Sequence, residues 1–174
     1  MLWPLLDNHY PVFQVKPSAR GFTLIELMIV ITVLSVMASL LSPTIGTMVR
    51  NHHADNLLSE LELDIQFARN LSISNTNETE LTPLDNDWNN GWVIRDRFTN
   101  EVLRQRGSIT NPIAEWGGVS STSYSSGNPL IFDAQGRAKT AGSFKVNVPG
   151  CQGKRLATLE IKFLGQIMVK RTQC

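Results

Sequence analysis

The chain has 174 residues, of which 42% are apolar and 18% charged, and a formal net charge of +1. That length suits one domain with an appendage and is enough to bury a real core. No nucleophile–base pairing, phosphate loop, cofactor motif or G-x-S-x-G frame occurs, so no catalytic residue, metal or cofactor is expected.

Residues 1–20 do not read as a secretory leader, because they lack a continuous apolar region and an A-x-A site. They end in Lys16-Pro-Ser-Ala-Arg20-Gly21. Basic residues just ahead of an apolar run keep that end cytoplasmic; Arg50, beyond the run, is a counter-vote. From Leu27 to Val49 no charge occurs. At 1.5 Å per residue this stretch covers roughly 34 Å, against about 30 Å for a bilayer core. One membrane segment is expected, with the remainder of the chain on the other side. Glu26 heads the run, where a carboxylate costs about 2.5–3.5 kcal/mol, so it needs a partner.

Pro43 removes a helical hydrogen bond and predicts a kink, loosened further by Gly46; an end of the span near Leu41 is the simpler alternative. After Arg50, Ala54, Leu57, Leu58, Leu61, Ile65, Ala68 and Leu71 recur at helical spacing. Asp55, Glu60, Glu62, Asp64 and Arg69 are assigned to other faces. This amphipathic helix runs to about Ser72 and continues the membrane helix. From residue 79 the pattern is β, with hairpins expected at Asp96–Asn100 and at Leu164-Gly165 and a turn at Asp133–Arg137. Asn111–Gly127, rich in Ser, Gly and Thr, reads as a loop. The expected fold class is α+β, a long N-terminal helix packed on a small antiparallel sheet. Its segments are 1–21, 22–49, 50–73 and 74–174.

Gly21-Phe22-Thr23-Leu24-Ile25-Glu26 followed by the apolar run resembles the prepilin signature of type IV pilins and type II secretion pseudopilins. The resemblance implies cleavage after Gly21 by a prepilin peptidase, N-methylation of Phe22, and pairing of Glu26 with the new ammonium, its own or a neighbour's. A start nearer Val15 would leave the short leader VKPSARG, closer to the family's usual length. Farther on, PLIFDAQGRA at 129–138, Cys151 and the Leu-Gly turn ahead of Cys174 resemble the FimT/FimU-type minor pilins and GspH-type pseudopilins. These resemblances imply a subunit that assembles with other pilins, at or near a pilus tip or in a type II secretion system. FimT-type proteins also imply double-stranded DNA as a partner in natural transformation. In them a Gly-Arg-x-Arg pattern is associated with DNA contact. The corresponding stretch here is Gly165-Gln166-Ile167-Met168, with Lys170 and Arg171 just beyond.

In an exported domain Cys151 and Cys174 would pair, adding about 3 kcal/mol in the chain-entropy model; in a reducing cytosol they would be two thiols. The membrane segment favours the disulfide. Charge is segregated along the chain. Residues 55–101 hold ten acids and three bases, residues 137–174 eight bases and one acid. Lys154, Arg155, Lys162, Lys170 and Arg171 are therefore candidate DNA contacts. Docking of acidic and basic patches between subunits, or a merely solvated surface, are the competing readings. His52-His53 and Asp85-Asn86-Asp87 are read as surface groups rather than metal ligands, and Trp88, Trp92 and Trp116 as core rather than stacking platforms.

Overall fold

The computed structural model describes residues 21–108, 110 and 117–174, with the backbone alone for 40–44. Residues 1–20 of the proposed leader, Trp116 and the side chain of Pro43 lie outside the described residues. The chain divides into two compact units, Met1–Leu40 and Leu41–Cys174. One helix, α1 (Leu24–Asn75), precedes eight strands: β1 (Thr79–Leu84), β2 (Asp87–Asp96), β3 (Val102–Arg106), β4 (Gly118–Ser120), β5 (Leu130–Phe132), β6 (Gly142–Asn147), β7 (Leu156–Ile161) and β8 (Ile167–Thr172).

In the first unit every described side chain from Gly21 to Ser39 is exposed, most of them large and apolar. The few hydroxyls bond back to their own helix. Thr32 donates to the Met28 carbonyl, Ser35 to Ile31 and Ser39 to Val36, each at 2.7 Å. The polar groups of this segment thus need neither water nor another helix. Among the described residues no helix is long and apolar enough to cross a membrane; the uncharged side chains described from Leu27 stop at Ser39, where the backbone-only stretch begins. The helical assignment continues through Pro43.

The second unit holds two four-stranded antiparallel sheets, ordered β3-β2-β1-β5 and β4-β6-β7-β8. Turn chemistry sets the hairpins. Asp85 and Asn86 take φ of 49° and 58°, the two left-handed positions of a tight β1–β2 connection. Gly165 (φ 73°) makes the β7–β8 turn, and a Cβ there would run into the Gly136 carbonyl and the Arg69 guanidinium. Among its described residues, the stretch read as a loop departs from that reading at 118–120. Residues 118–120 form β4, because Val119 is buried opposite Val146 and pairing to β6 overrides a Ser/Gly-rich composition.

Leu57, Leu58, Leu61, Ile65 and Ala68 of α1 form one core with Leu81, Trp92 and Ile94 of the first sheet and Phe144, Val146, Leu159 and Ile161 of the second. The helical stripe is the surface that both sheets share. Asp64 departs from the expected polar face: its side chain is fully buried. Trp92 faces Arg106 in the β2–β3 register and Ile94 faces Arg104, so alternate residues aim their donors the same way. Trp92 Nε1 donates to Asp64 Oδ2 at 2.9 Å, Arg104 Nη1 to Oδ1 at 2.8 Å, and Arg106 Nε to Oδ2 at 2.8 Å. Arg104 also stacks its guanidinium 3.6 Å over the Phe67 ring. Two more bonds seat the helix. Thr79 Oγ1 donates to the Ala68 carbonyl at 2.7 Å, and Arg69 Nε to the Gly136 carbonyl at 2.9 Å.

Asp64→Ala leaves a buried indole N–H and two arginines without their acceptor. Because both arginines are about one-third exposed and can rehydrate, the expected cost is about 3 kcal/mol, the low end for breaking a buried pair. Thermal unfolding of the full chain in detergent measures it, and an unchanged Tm would contradict the assignment.

Burial by itself pushes the Asp64 pKa up; hydrogen bonds from Arg106, Arg104 and Trp92 outweigh it and hold the carboxyl below the usual carboxylate range. A folded value below the unfolded one means that stability is fully present above about pH 4 and lost as pH falls through the folded value. Glu78, Asp96, Asp133 and Glu160 shift the same way. Tm should stay level from about pH 7 to 5 and fall below about pH 4. The fall should be shallower in Asp64→Asn, and parallel curves would assign the acid sensitivity to the other carboxylates.

Candidate functional site

Gly21, Phe22, Thr23 and Glu26 line an open recess at the start of α1. Glu26 Oε2 accepts from the Thr23 amide and from Thr23 Oγ1, both at 3.0 Å. The Thr23 hydroxyl in turn accepts from the Glu26 amide at 3.2 Å. This reciprocal arrangement is a capping box, which satisfies donors that a helix start otherwise leaves open. Sequence reasoning missed it, although the T-x-x-E spacing was readable. Phe22 is joined to Gly21 here and carries no ammonium, and Thr23 is the partner of Glu26.

The sequence-predicted cations are largely engaged within the chain. Asp55 receives Arg155 Nη1 on Oδ2 at 2.7 Å and Arg171 Nη1 on Oδ1 at 2.8 Å. Glu160 receives Lys170 at 2.6 Å and Lys162 at 3.0 Å, and these bonds hold its carboxyl below the usual range. Lys154 is exposed on the loop before β7. Elsewhere Glu78 meets Lys139 and Arg97, and Arg97 also meets Glu80. The acidic and basic stretches of the sequence thus come together inside one molecule. Arg104 and Arg106, between those stretches, went unnoticed, because what makes them matter is a cross-strand register that no local pattern shows.

Cys151 and Cys174 are bonded, with Cα atoms 5.8 Å apart. Gly165-Gln166-Ile167-Met168 forms the β7–β8 turn and the start of β8, against the Arg69 end of α1. Trp88 and Trp92 are buried. The Trp88 indole donates to the Tyr124 carbonyl at 3.1 Å and its ring meets Phe144 edge-on, 4.8 Å between centroids. His52 is exposed and His53 half-buried. Among the described residues no group of His, Cys, Asp and Glu could hold a metal ion.

Residues 16–42 match the family described as the prokaryotic N-terminal methylation motif, and residues 58–165 match the family described as type II transport protein GspH. Two crystal structures of the type IV minor pilin FimU of Pseudomonas aeruginosa (strain PAO1), in space groups P65 and P21, are similar to this chain. Their TM-scores are 0.53 and 0.51, with 22% and 24% identity over 68% of this chain and 97% and 94% of theirs. No curated protein matches the chain. The likeness to FimU shows the fold, a long N-terminal helix on antiparallel sheets, as the sequence led one to expect. With more than half of its residues in the second family match and a prepilin-type motif ahead of it, the chain belongs to the GspH family of structural, type IV pilin-like subunits.

Proposed function

We propose that this protein is a minor pilin. It is held in the inner membrane by residues 22–49, cut between Gly21 and Phe22 by a prepilin peptidase, methylated at Phe22, and then assembled with other pilins at or near the tip of a type IV pilus. Its domain is periplasmic before assembly. The observation that carries the reading is the unpartnered helix: Phe22 is 83% exposed and Leu24 76%, and each described side chain as far as Ser39 is open. Only lipid or neighbouring helices can take such a surface out of water. Cleavage would create an ammonium at Phe22 within reach of Glu26. In a low-dielectric filament core that pair offsets the desolvation of both charges, and the Thr23 bonds hold the carboxylate until then. A weak point at Pro43 would let the helix bend on packing.

A pseudopilin of a type II secretion system is the second reading, favoured by the description of the matched family. A DNA receptor is disfavoured. Arg155, Lys162, Lys170 and Arg171 already meet carboxylates, and turning them to phosphates would strand Asp55 and Glu160.

Mass spectrometry of the protein from its own cells should find a mature chain that begins at Phe22 and carries one methyl group. Glu26→Ala should still insert in the membrane yet fall about tenfold or more in sheared filaments, the effect of losing about 1.4 kcal/mol. Normal incorporation of that variant, or a precursor never cut beside Gly21, would defeat the proposal. A deletion strain that loses twitching and secretes normally separates the pilus from the secretion system.

A further inference from the structure

Two tight turns of the unit Leu41–Cys174 hold exposed aromatic residues on a pinned backbone. In the β2–β3 turn Asp96 Oδ1 accepts from the Phe98 amide at 2.8 Å and the Thr99 amide at 3.0 Å, while Asn77 Nδ2 donates to Oδ2 at 3.2 Å. Phe98 is 86% exposed there, and Val102 at the start of β3 is exposed too. In the β7–β8 turn the Lys162 amide donates to the Gln166 carbonyl at 2.9 Å and the Gly165 amide to the Lys162 carbonyl at 2.8 Å. Phe163 and Leu164 are 63% and 64% exposed. Each turn also has a charge that the chain does not answer. Glu101 is exposed, and among the described residues its carboxylate has no partner. Arg69, against which Gly165 packs, is half-buried and gives its Nε to the Gly136 carbonyl. Its two terminal nitrogens have no partner among the described residues, and it lines a recess with Asn70 and Gln166. Asp85 and Lys145, exposed as well, have no large exposed apolar residue beside them in the chain.

We propose that two copies of this chain dock through these turns, with Glu101 of one copy on Arg69 of the other and Phe98 against Phe163 and Leu164. The inference rests on the folded domain and not on the reading of the protein as a pilin. A guanidinium presents its terminal N–H groups as a fork that fits both oxygens of one carboxylate. Apolar side chains around such a pair keep water from it, the anatomy of an interface anchor. Because both turns are already held by hydrogen bonds, little further ordering is lost on docking. The two surfaces differ in kind, so one contact leaves a Glu101 turn and an Arg69 recess open to further copies. A polyanion suits the recess less well. Gln66, on the same rim, donates Nε2 to Glu62 Oε1 at 3.2 Å, which sets a carboxylate beside it. A single glutamate between apolar groups avoids that repulsion, and a phosphate backbone does not.

The test follows self-association of the full chain in detergent by analytical ultracentrifugation at low and high salt. The unaltered chain should associate reversibly and more weakly as salt rises. Glu101→Arg and Phe98→Ser, both on an exposed turn, should each weaken association about tenfold or more with Tm unchanged, and Arg69→Glu should do the same. An equal mixture of Glu101→Arg and Arg69→Glu should regain it, because each opposed pair in the mixture again has opposite signs. A chain that stays monomeric overturns the inference, and a monomer that binds a duplex oligonucleotide through Arg69 would give the recess to DNA. Association untouched by the variants overturns it too and would assign the contact to the apolar half of α1. So does a mixture of two folded variants that stays apart. Should Arg69→Glu fail to fold, Glu101→Arg and Phe98→Ser decide alone.

Discussion

The domain depends on a buried carboxylate. Asp64 sits on the helical surface that faces the first sheet, and it is tolerated there because three donors from β2 and β3 reach it at 2.8–2.9 Å. Such a group stabilises little by being present, yet it makes any other seating of the helix costly. Sliding the helix by one residue would keep much of the apolar stripe in contact and would strand the charge. The register of the core is therefore set by a polar group, while Leu61, Ile65 and their neighbours supply the burial that drives folding.

The same logic runs through the rest of the charge. An acidic stretch and a basic stretch far apart in sequence fold against each other. Asp55 joins the helix to β8 and to the loop ahead of β7, Glu78 joins the residue ahead of β1 to the segment after β5, and Glu160 ties β7 to β8. These pairs are partly exposed, so each contributes little to stability. Their effect is on the surface potential, since cations engaged in this way are poor bait for a polyanion. Lys154 stays exposed on the loop ahead of β7.

The two units solve opposite problems. Leu41–Cys174 buries its apolar residues within the chain and satisfies its polar ones across strands. In the helical stretch of Met1–Leu40 the apolar residues stand exposed and the polar ones, Glu26 included, are satisfied within one turn of the same helix. A segment built that way suits lipid and neighbouring helices equally, which the proposed passage from membrane to filament requires.

Local chemistry was legible in the sequence. The uncharged run, the Leu57–Ala68 stripe, the Asp96–Asn100 and Leu164-Gly165 turns and the α+β class rest on patterns within a few residues of one another, so composition and spacing were sufficient to find them, and the prepilin-type motif was legible as a resemblance to a known family. The capping box of Thr23 and Glu26 was equally local and was overlooked, because the carboxylate was read for its place in the apolar run. Tertiary structure alone decided the burial of Asp64, the convergence of Arg104, Arg106 and Trp92 upon it, the strand at 118–120 and the capture of Arg155 and Arg171 by Asp55. Each depends on which strands lie side by side and in what register. A charged residue on a helix reads the same along the chain whether water or a guanidinium stands across from it, and only the packed sheet settles which.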